Sequence, residues 1–269
     1  MEKTFRNYDH SDVTAAVRDH YRKMRQNQTL DYVQRMHRKY LTFDKPMPLW
    51  EAMAHLNSLI DVSDPDLDLP NVQHLIQSAE AIREDGRPDW MQLTGLIHDL
   101  GKVMFLWGSD DDGTSQAEQW GMVGDVFVVG CALPDSCVYP EFNALNPDMG
   151  KSPYNTATGI YEEGCGLDQL NLAWGHDEYL YQVLKNHKEN KLPEEAMTMI
   201  RYHSFYPWHT GGSYTQLLHK KDEAYLETIR DFNRYDLYTK SQKIVDLEDV
   251  REYYQPIAEK YLGAGPIYW

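Results

Sequence analysis

The feature that most constrains this chain is a histidine–aspartate pair set into an apolar helical repeat. Leu93, Leu96, Ile97, Leu100 and Met104 recur at three- and four-residue spacing, which gathers them on one helical face. His98 and Asp99, in LIHDLGK, place two polar groups within that run, where burial is costly unless each finds a partner. The same periodicity recurs along the chain. It marks helices through Val13, Ala16, Val17, Tyr21 and Met24, from Leu30 to Tyr40, and through Leu49, Met53, Leu56 and Ile60 after Pro48. After the helix-stopping SDPDLDLP, Asn71 is placed to cap a helix carrying Val72, Leu75, Ile76, Ala79 and Ile82, which stops near Gly86. Further helices are predicted over 167–186, 193–206, 222–238 and 247–262. The fold class this predicts is all-α, mostly helical.

Between Gly108 and Gly166 the pattern breaks into acidic, Gly-, Pro- and Asn-rich sequence, with VFVVG alone resembling a short strand. An excursion of that length predicts an ordered loop covering a site. No repeat and no composition shift divides the 269 residues, so one domain is expected.

Histidines and carboxylates recur on the other helices. His74 precedes His98 by 24 residues, WGHDEY and RYHSFYPWH supply His176 and His203, and FNRYDLYTK supplies Asp236. Together with His98 and Asp99 they form a six-ligand candidate set. Imidazole nitrogens suit iron, manganese or zinc, and a carboxylate has two oxygens with which to bridge two ions, so Asp99 is the expected bridge. Any one of the eleven histidines, taken alone, reads equally as a hydrogen-bonded structural residue; the set carries the argument. His10, His20, His37, His55, His187, His209 and His219 lie in polar or loop sequence and are expected not to bind metal. Asp177 is expected to act behind the ligand histidines as an outer partner. Lys102, three residues after Asp99, falls on the same helical face, either as an ion-pair partner of Asp99 or as a donor that stabilises charge on a substrate oxygen.

HDLGK, WGHDEYLYQ, HSFYPWHTGG and FNRYDLYTK together resemble the myo-inositol oxygenase family of the HD-domain superfamily, and the likeness runs from FRNY to the C-terminal IYW. The resemblance implies an HD-like helical core at 61–240, N-terminal helices at 1–60 that cover the substrate, and a C-terminal helix and tail at 241–269. It implies two iron ions per chain in a mixed-valent Fe(II)/Fe(III) pair. His74, His98, Asp99 and Asp236 would hold one, and Asp99, His176 and His203 the other. The implied reaction takes one O2 as co-substrate and cleaves the ring of myo-inositol to D-glucuronate, with Lys102 and Asp99 as catalytic residues. Arg6, Asp61, Ser63, Lys102, Gly124, Asp125, His203 and Ser204 are assigned by the same resemblance to the polyol. Two departures stand out: the acidic stretch at 109–120 is longer than the family pattern, and Val62 stands where an acidic residue is expected.

Composition narrows the alternatives. A net charge of −16 argues against a nucleic-acid partner, since phosphate binding rests on clustered Lys and Arg. No apolar run approaches the roughly 18 residues that a membrane span needs. The N-terminal MEKTFRNYDH lacks the apolar core of a signal peptide, and three cysteines without CxxC spacing read as free thiols, so a cytoplasmic monomer is expected. The rival reading is an HD-type metal-dependent phosphohydrolase, which requires a phosphate clamp; a third is a helical scaffold with a degenerate metal site.

Overall fold

The computed structural model describes residues 15–64, 69–237 and 244–269. Arg6, assigned above to the substrate, lies outside the described residues, as does Val13 of the first apolar stripe.

Helices form within the stretches that apolar spacing predicts, as α1 Ala15–Asn27, α2 Leu30–Tyr40, α3 Leu49–His55, α4 Asn71–Glu84, α5 Asp89–Ile97, α6 His176–Asn186, α7 Glu194–Tyr202 (shorter than the expected 193–206), α9 Asp222–Asp236 and α10 Leu247–Leu262; the single turn α8 Tyr206–His209 is additional. Among the described residues strand is confined to β1 Pro46–Met47 paired antiparallel with β2 Ile267–Tyr268. The fold is all-α, with an HD-like helical core. Among the described residues no helix is long and apolar enough to cross a membrane.

The core is a packed set in which α4 lies against α5, α6 against α7, and α9 against both α4 and α7. Leu75, Ile76 and Ala79 of α4 meet Leu93, Leu96 and Ile97 of α5 in one buried cluster, which also takes Leu180, Val183 and Ile200. Burial at roughly 25 cal/mol per Å2 of apolar surface makes this cluster the main source of the fold's stability. Gly95 lets α5 approach α4, since a Cβ there would lie 2.7 Å from Ile82 Cδ1. Gly101 does the same for the segment after Asp99, where any Cβ would collide with the carbonyl of His176.

Several sequence expectations are corrected. The repeat from Leu93 to Met104 is two elements: α5 ends at Ile97, and a tighter 3-10 segment follows over Leu100–Trp107, so His98 and Asp99 sit at a junction. VFVVG is not a strand; Val128 makes one isolated bridge with Leu172. The element predicted from Leu167 starts instead at His176, after a short turn at Leu167–Gln169. Ile60 is exposed, because the α3 helix has already tightened into a 3-10 turn over Leu56–Ser58. Asn71 is the first residue of α4 and makes no cap; its side chain is engaged elsewhere. All three cysteines are free, as expected.

Candidate metal centre

The six candidate ligands come together, and they come from helix ends. His98 and His203 each follow the last residue of a helix, α5 and α7; His176 is the first residue of α6, and Asp236 the last of α9. The C-terminal carbonyls of a helix have no intrahelical partner. His98 and His203 meet this need in the same way: His98 Nδ1 lies 2.9 Å from Gly95 O, and His203 Nδ1 lies 3.0 Å from Ile200 O. His176 Nδ1 lies 2.8 Å from Met122 O. A ring nitrogen facing a carbonyl donates to it, so all three imidazoles turn Nε2 to the interior.

Those Nε2 atoms surround Asp99. Its Oδ1 is 2.9 Å from His176 Nε2, 3.5 Å from His203 Nε2 and 3.9 Å from His98 Nε2. Asp236 Oδ1 lies 2.9 Å from His74 Nε2 and 3.4 Å from His98 Nε2. Donor atoms fall within 4.8 Å of one another in the groups His74, His98, Asp236 and His98, Asp99, His203. Asp177 reaches the opposite edge of two rings, with Oδ1 3.2 Å from His203 Nδ1 and Oδ2 3.4 Å from His176 Nδ1.

Two properties of this donor set fit a cation. His98 Nε2 and Asp236 Oδ2 are buried acceptors with no hydrogen-bond donor. His176 Nε2 and His203 Nε2 face each other at 3.2 Å, so two lone pairs oppose one another unless a proton or a metal ion lies between them. The charges agree. Burial opposes ionisation of Asp99, but Lys102, His98 and His176 outweigh it and hold the carboxyl well below its usual range. For Asp236 burial is likewise outweighed, by His74 and His98. Burial also opposes a charge on His203, yet Asp177, Asp99 and Asp236 push it up to about 9. Two ionised carboxylates buried among imidazoles therefore draw positive charge to this point.

A polar cavity opens beside the cluster, lined by Asp61, Ser63, Asn71, Lys102, Gly124 and Ser204 among others. Lys102 Nζ lies 2.7 Å from Asp61 Oδ2 and 2.7 Å from Asp99 Oδ2. Burial disfavours its charge, but the two carboxylates keep the ammonium well above its ordinary value. Asp61 is held below its ordinary value by the same lysine and by Ser63, against burial. Gly124 adopts φ +119°, a conformation that favours glycine.

Asp125 does not face this cavity. Its carboxylate accepts two hydrogen bonds from Arg25 Nη2, at 2.9 and 3.0 Å, and one from Val138 N, all in a fully buried ion pair. Its neighbour Gly124, not Asp125, lines the cavity. Sequence reasoning also missed Asn71, whose Nδ2 donates to Asp99 Oδ2 at 2.9 Å. The signal was its spacing, three residues before His74 on one helical face. His20, in a polar stretch, and His209, after a tryptophan in loop sequence, are both buried: one lies 3.1 Å from Val123 O, the other 3.0 Å from His203 O.

The fold and site define a helical protein whose buried histidine–carboxylate cluster, a candidate metal centre, adjoins a polar cleft. The myo-inositol oxygenase family model matches residues 14–269. Inositol oxygenase 4 of Arabidopsis thaliana is 47% identical over 262 residues, covering 96% of this chain and 81% of the relative. The inositol oxygenases of Mus musculus and Dictyostelium discoideum are 44% and 43% identical, covering 99% and 96% of this chain and 91% and 87% of the relatives. The chain belongs to the myo-inositol oxygenase family.

Proposed function

We propose that this chain is an inositol oxygenase that opens the ring of myo-inositol with one O2 to give D-glucuronate. The stoichiometry balances: inositol gives up four electrons to O2, one oxygen atom enters the product and the other leaves as water. We assign one iron to His74, His98, Asp99 and Asp236 and a second to Asp99, His176 and His203, in a mixed-valent pair. The observation that carries this reading is the convergence of three fixed Nε2 atoms on Asp99 at the wall of a cleft lined by Lys102, Asp61 and Ser63.

When bound, the iron pair supplies redox chemistry and the Lewis acidity that lowers the pKa of a coordinated hydroxyl. The chain's own residues do the rest. Lys102 stays protonated, so it donates to a hydroxyl oxygen of the substrate and stabilises developing negative charge there; it does not act as a base. Asp61, ionised, and Ser63 accept and donate to neighbouring hydroxyls, and Ser204 and the Gly124 main chain complete the ring of polar groups a polyol requires. The backbone carbonyls behind His98, His176 and His203 hold the rings so that their Nε2 atoms cannot turn away. Phe232 packs edge-on against His98 and His203 and shields them from water.

The cleft also weighs against a phosphohydrolase. Among the described residues the lysine on its wall, Lys102, is already shared by two carboxylates, and Asp61 and Asp64 on the same wall repel a phosphate dianion.

The test is O2 uptake by the iron-loaded, partly reduced protein with myo-inositol, with glucuronate measured by mass and iron counted per chain. Uptake matched one to one by glucuronate supports the reading. Two irons per chain with no uptake, and phosphate released from phosphomonoesters, overturns it.

A further inference from the structure

The acidic stretch at 109–120 is built into the molecule at both ends. Asp112 accepts from Lys39, from Tyr40 (3.1 Å) and from Thr114, and its carbonyl accepts from Tyr32 at 2.6 Å. Glu118 pairs with Lys23 on α1. The other end reaches the loop that carries Asp61 and Ser63. Gln116 Nε2 donates to Ser58 O at 2.6 Å.

Gln119 is buried, and every polar atom of its amide is in use: Nε2 donates to Ile60 O and Gln116 O, both at 3.0 Å, and Oε1 accepts from Val62 N at 3.2 Å. The amide orientation is fixed, because a carbonyl cannot serve as donor nor an N–H as acceptor. The bonds to Ile60 and Val62 therefore clamp the main chain on both sides of Asp61. The clamped loop is then closed internally, with Asp61 Oδ1 accepting from Ser63 N at 2.8 Å and Ser63 Oγ at 2.7 Å, and Asp61 Oδ2 facing Lys102. Gln119 also reaches the metal side, since its carbonyl accepts from Met122 N at 2.8 Å and Met122 O holds the His176 ring.

We propose that Gln119 is a positioning residue for substrate: it sets the place of Asp61 against Lys102 and ties that loop to the segment that orients His176. Val62, which brings no side-chain polar group where an acidic one is expected, contributes through the N–H that Gln119 accepts. This rests on the inositol oxygenase reading, and its test has one arm that does not.

That arm is hydrogen–deuterium exchange of the metal-loaded protein without substrate. Gln119→Leu should speed exchange at residues 59–64 while leaving α9 and the iron content unchanged. Unchanged protection at 59–64 overturns the clamp, whatever the enzyme's activity. The second arm is a double-mutant cycle on steady-state kinetics with Asp61→Asn. Gln119→Leu alone should raise KM for myo-inositol about tenfold, the equilibrium effect of one to two buried hydrogen bonds, with kcat within about twofold. In the Asp61→Asn background it should add little. Fully additive effects, or a fall in kcat with KM unchanged, show a general structural role and overturn positioning through Asp61. If the parent protein does not turn over myo-inositol, the functional reading falls and the exchange arm alone decides the clamp.

Discussion

His176 and His203 face each other Nε2 to Nε2 at 3.2 Å, with Asp99 Oδ1 beside both. Neither ring can turn away, because each Nδ1 is committed to a main-chain carbonyl, Met122 O for one and Ile200 O for the other. At this distance the two imidazole nitrogens need a proton or a metal ion between them, and a bound cation takes that place.

Metal removal should therefore destabilise the whole chain. Chelated protein is expected to melt lower than the loaded form, and added Fe(II) should restore the midpoint in a concentration-dependent way. Saturation at 100 times Kd corresponds to about 2.7 kcal/mol. His98→Ala should lose metal and all turnover. A chelator-insensitive midpoint, or full iron content in His98→Ala, speaks against the assignment.

Lys102 is buried between Asp61 and Asp99, 2.7 Å from each. Lys102→Ala leaves two carboxylates facing without their shared cation, and breaking such a buried pair costs roughly 3–5 kcal/mol. Iron should stay bound, while kcat/KM for myo-inositol falls by about two orders of magnitude through lost charge stabilisation. Wild-type kinetics in this variant would remove Lys102 from the substrate site.

Asn71 donates to the same Asp99 oxygen as Lys102. Asn71→Ala should lower stability by about 1–2 kcal/mol, the effect of a lost buried hydrogen bond to a charged acceptor, and weaken iron retention during dialysis. Asn71→Asp, which sets a carboxylate against Asp99, should lose iron faster still. Equal retention in both variants would show that Asp99 needs no donor from α4.

His209 gives the fold a pH dependence. Burial pushes its imidazole down to about 4, against the pull of the His203 carbonyl. The unfolded chain takes up this proton near pH 6.5 and the folded chain only near 4. Stability from this residue is thus complete above about pH 6.5 and is lost as pH falls toward 4, by roughly 3 kcal/mol in all. Urea midpoints at pH 7.5 and 4.5 should differ less in His209→Gln than in the parent. An identical pH slope in the two proteins would contradict a buried neutral His209.

The helices and the ligands were legible because both leave local marks. Apolar spacing in α1, α2, α4 and α9 reports a buried face directly, and His98–Asp99 within an apolar run reports two polar groups that need a partner. The break after Ile97 was not legible. Periodicity continues through Met104, while after the break Gly101 packs against the His176 carbonyl, a contact between residues 75 apart in sequence.

The partners of each polar group were equally out of reach. Asp125 reads as a substrate residue in VGD, but α1 brings Arg25 to it across 100 residues and takes up its carboxylate. His20 lies in a polar stretch and His209 in a Trp-Gly-Gly loop, and packing buried both. Gln119 carries no sequence signal at all; its role comes from two carbonyls and one N–H supplied by other segments. The sequence by itself determined which stretches are helical and which side chains are able to bind metal, since these depend on the chemistry and spacing of near neighbours. Only the tertiary structure decided which groups face one another, because the partners that orient the His176 ring and the carboxylates of Asp61, Asp125 and Asp236 come from segments distant in the chain.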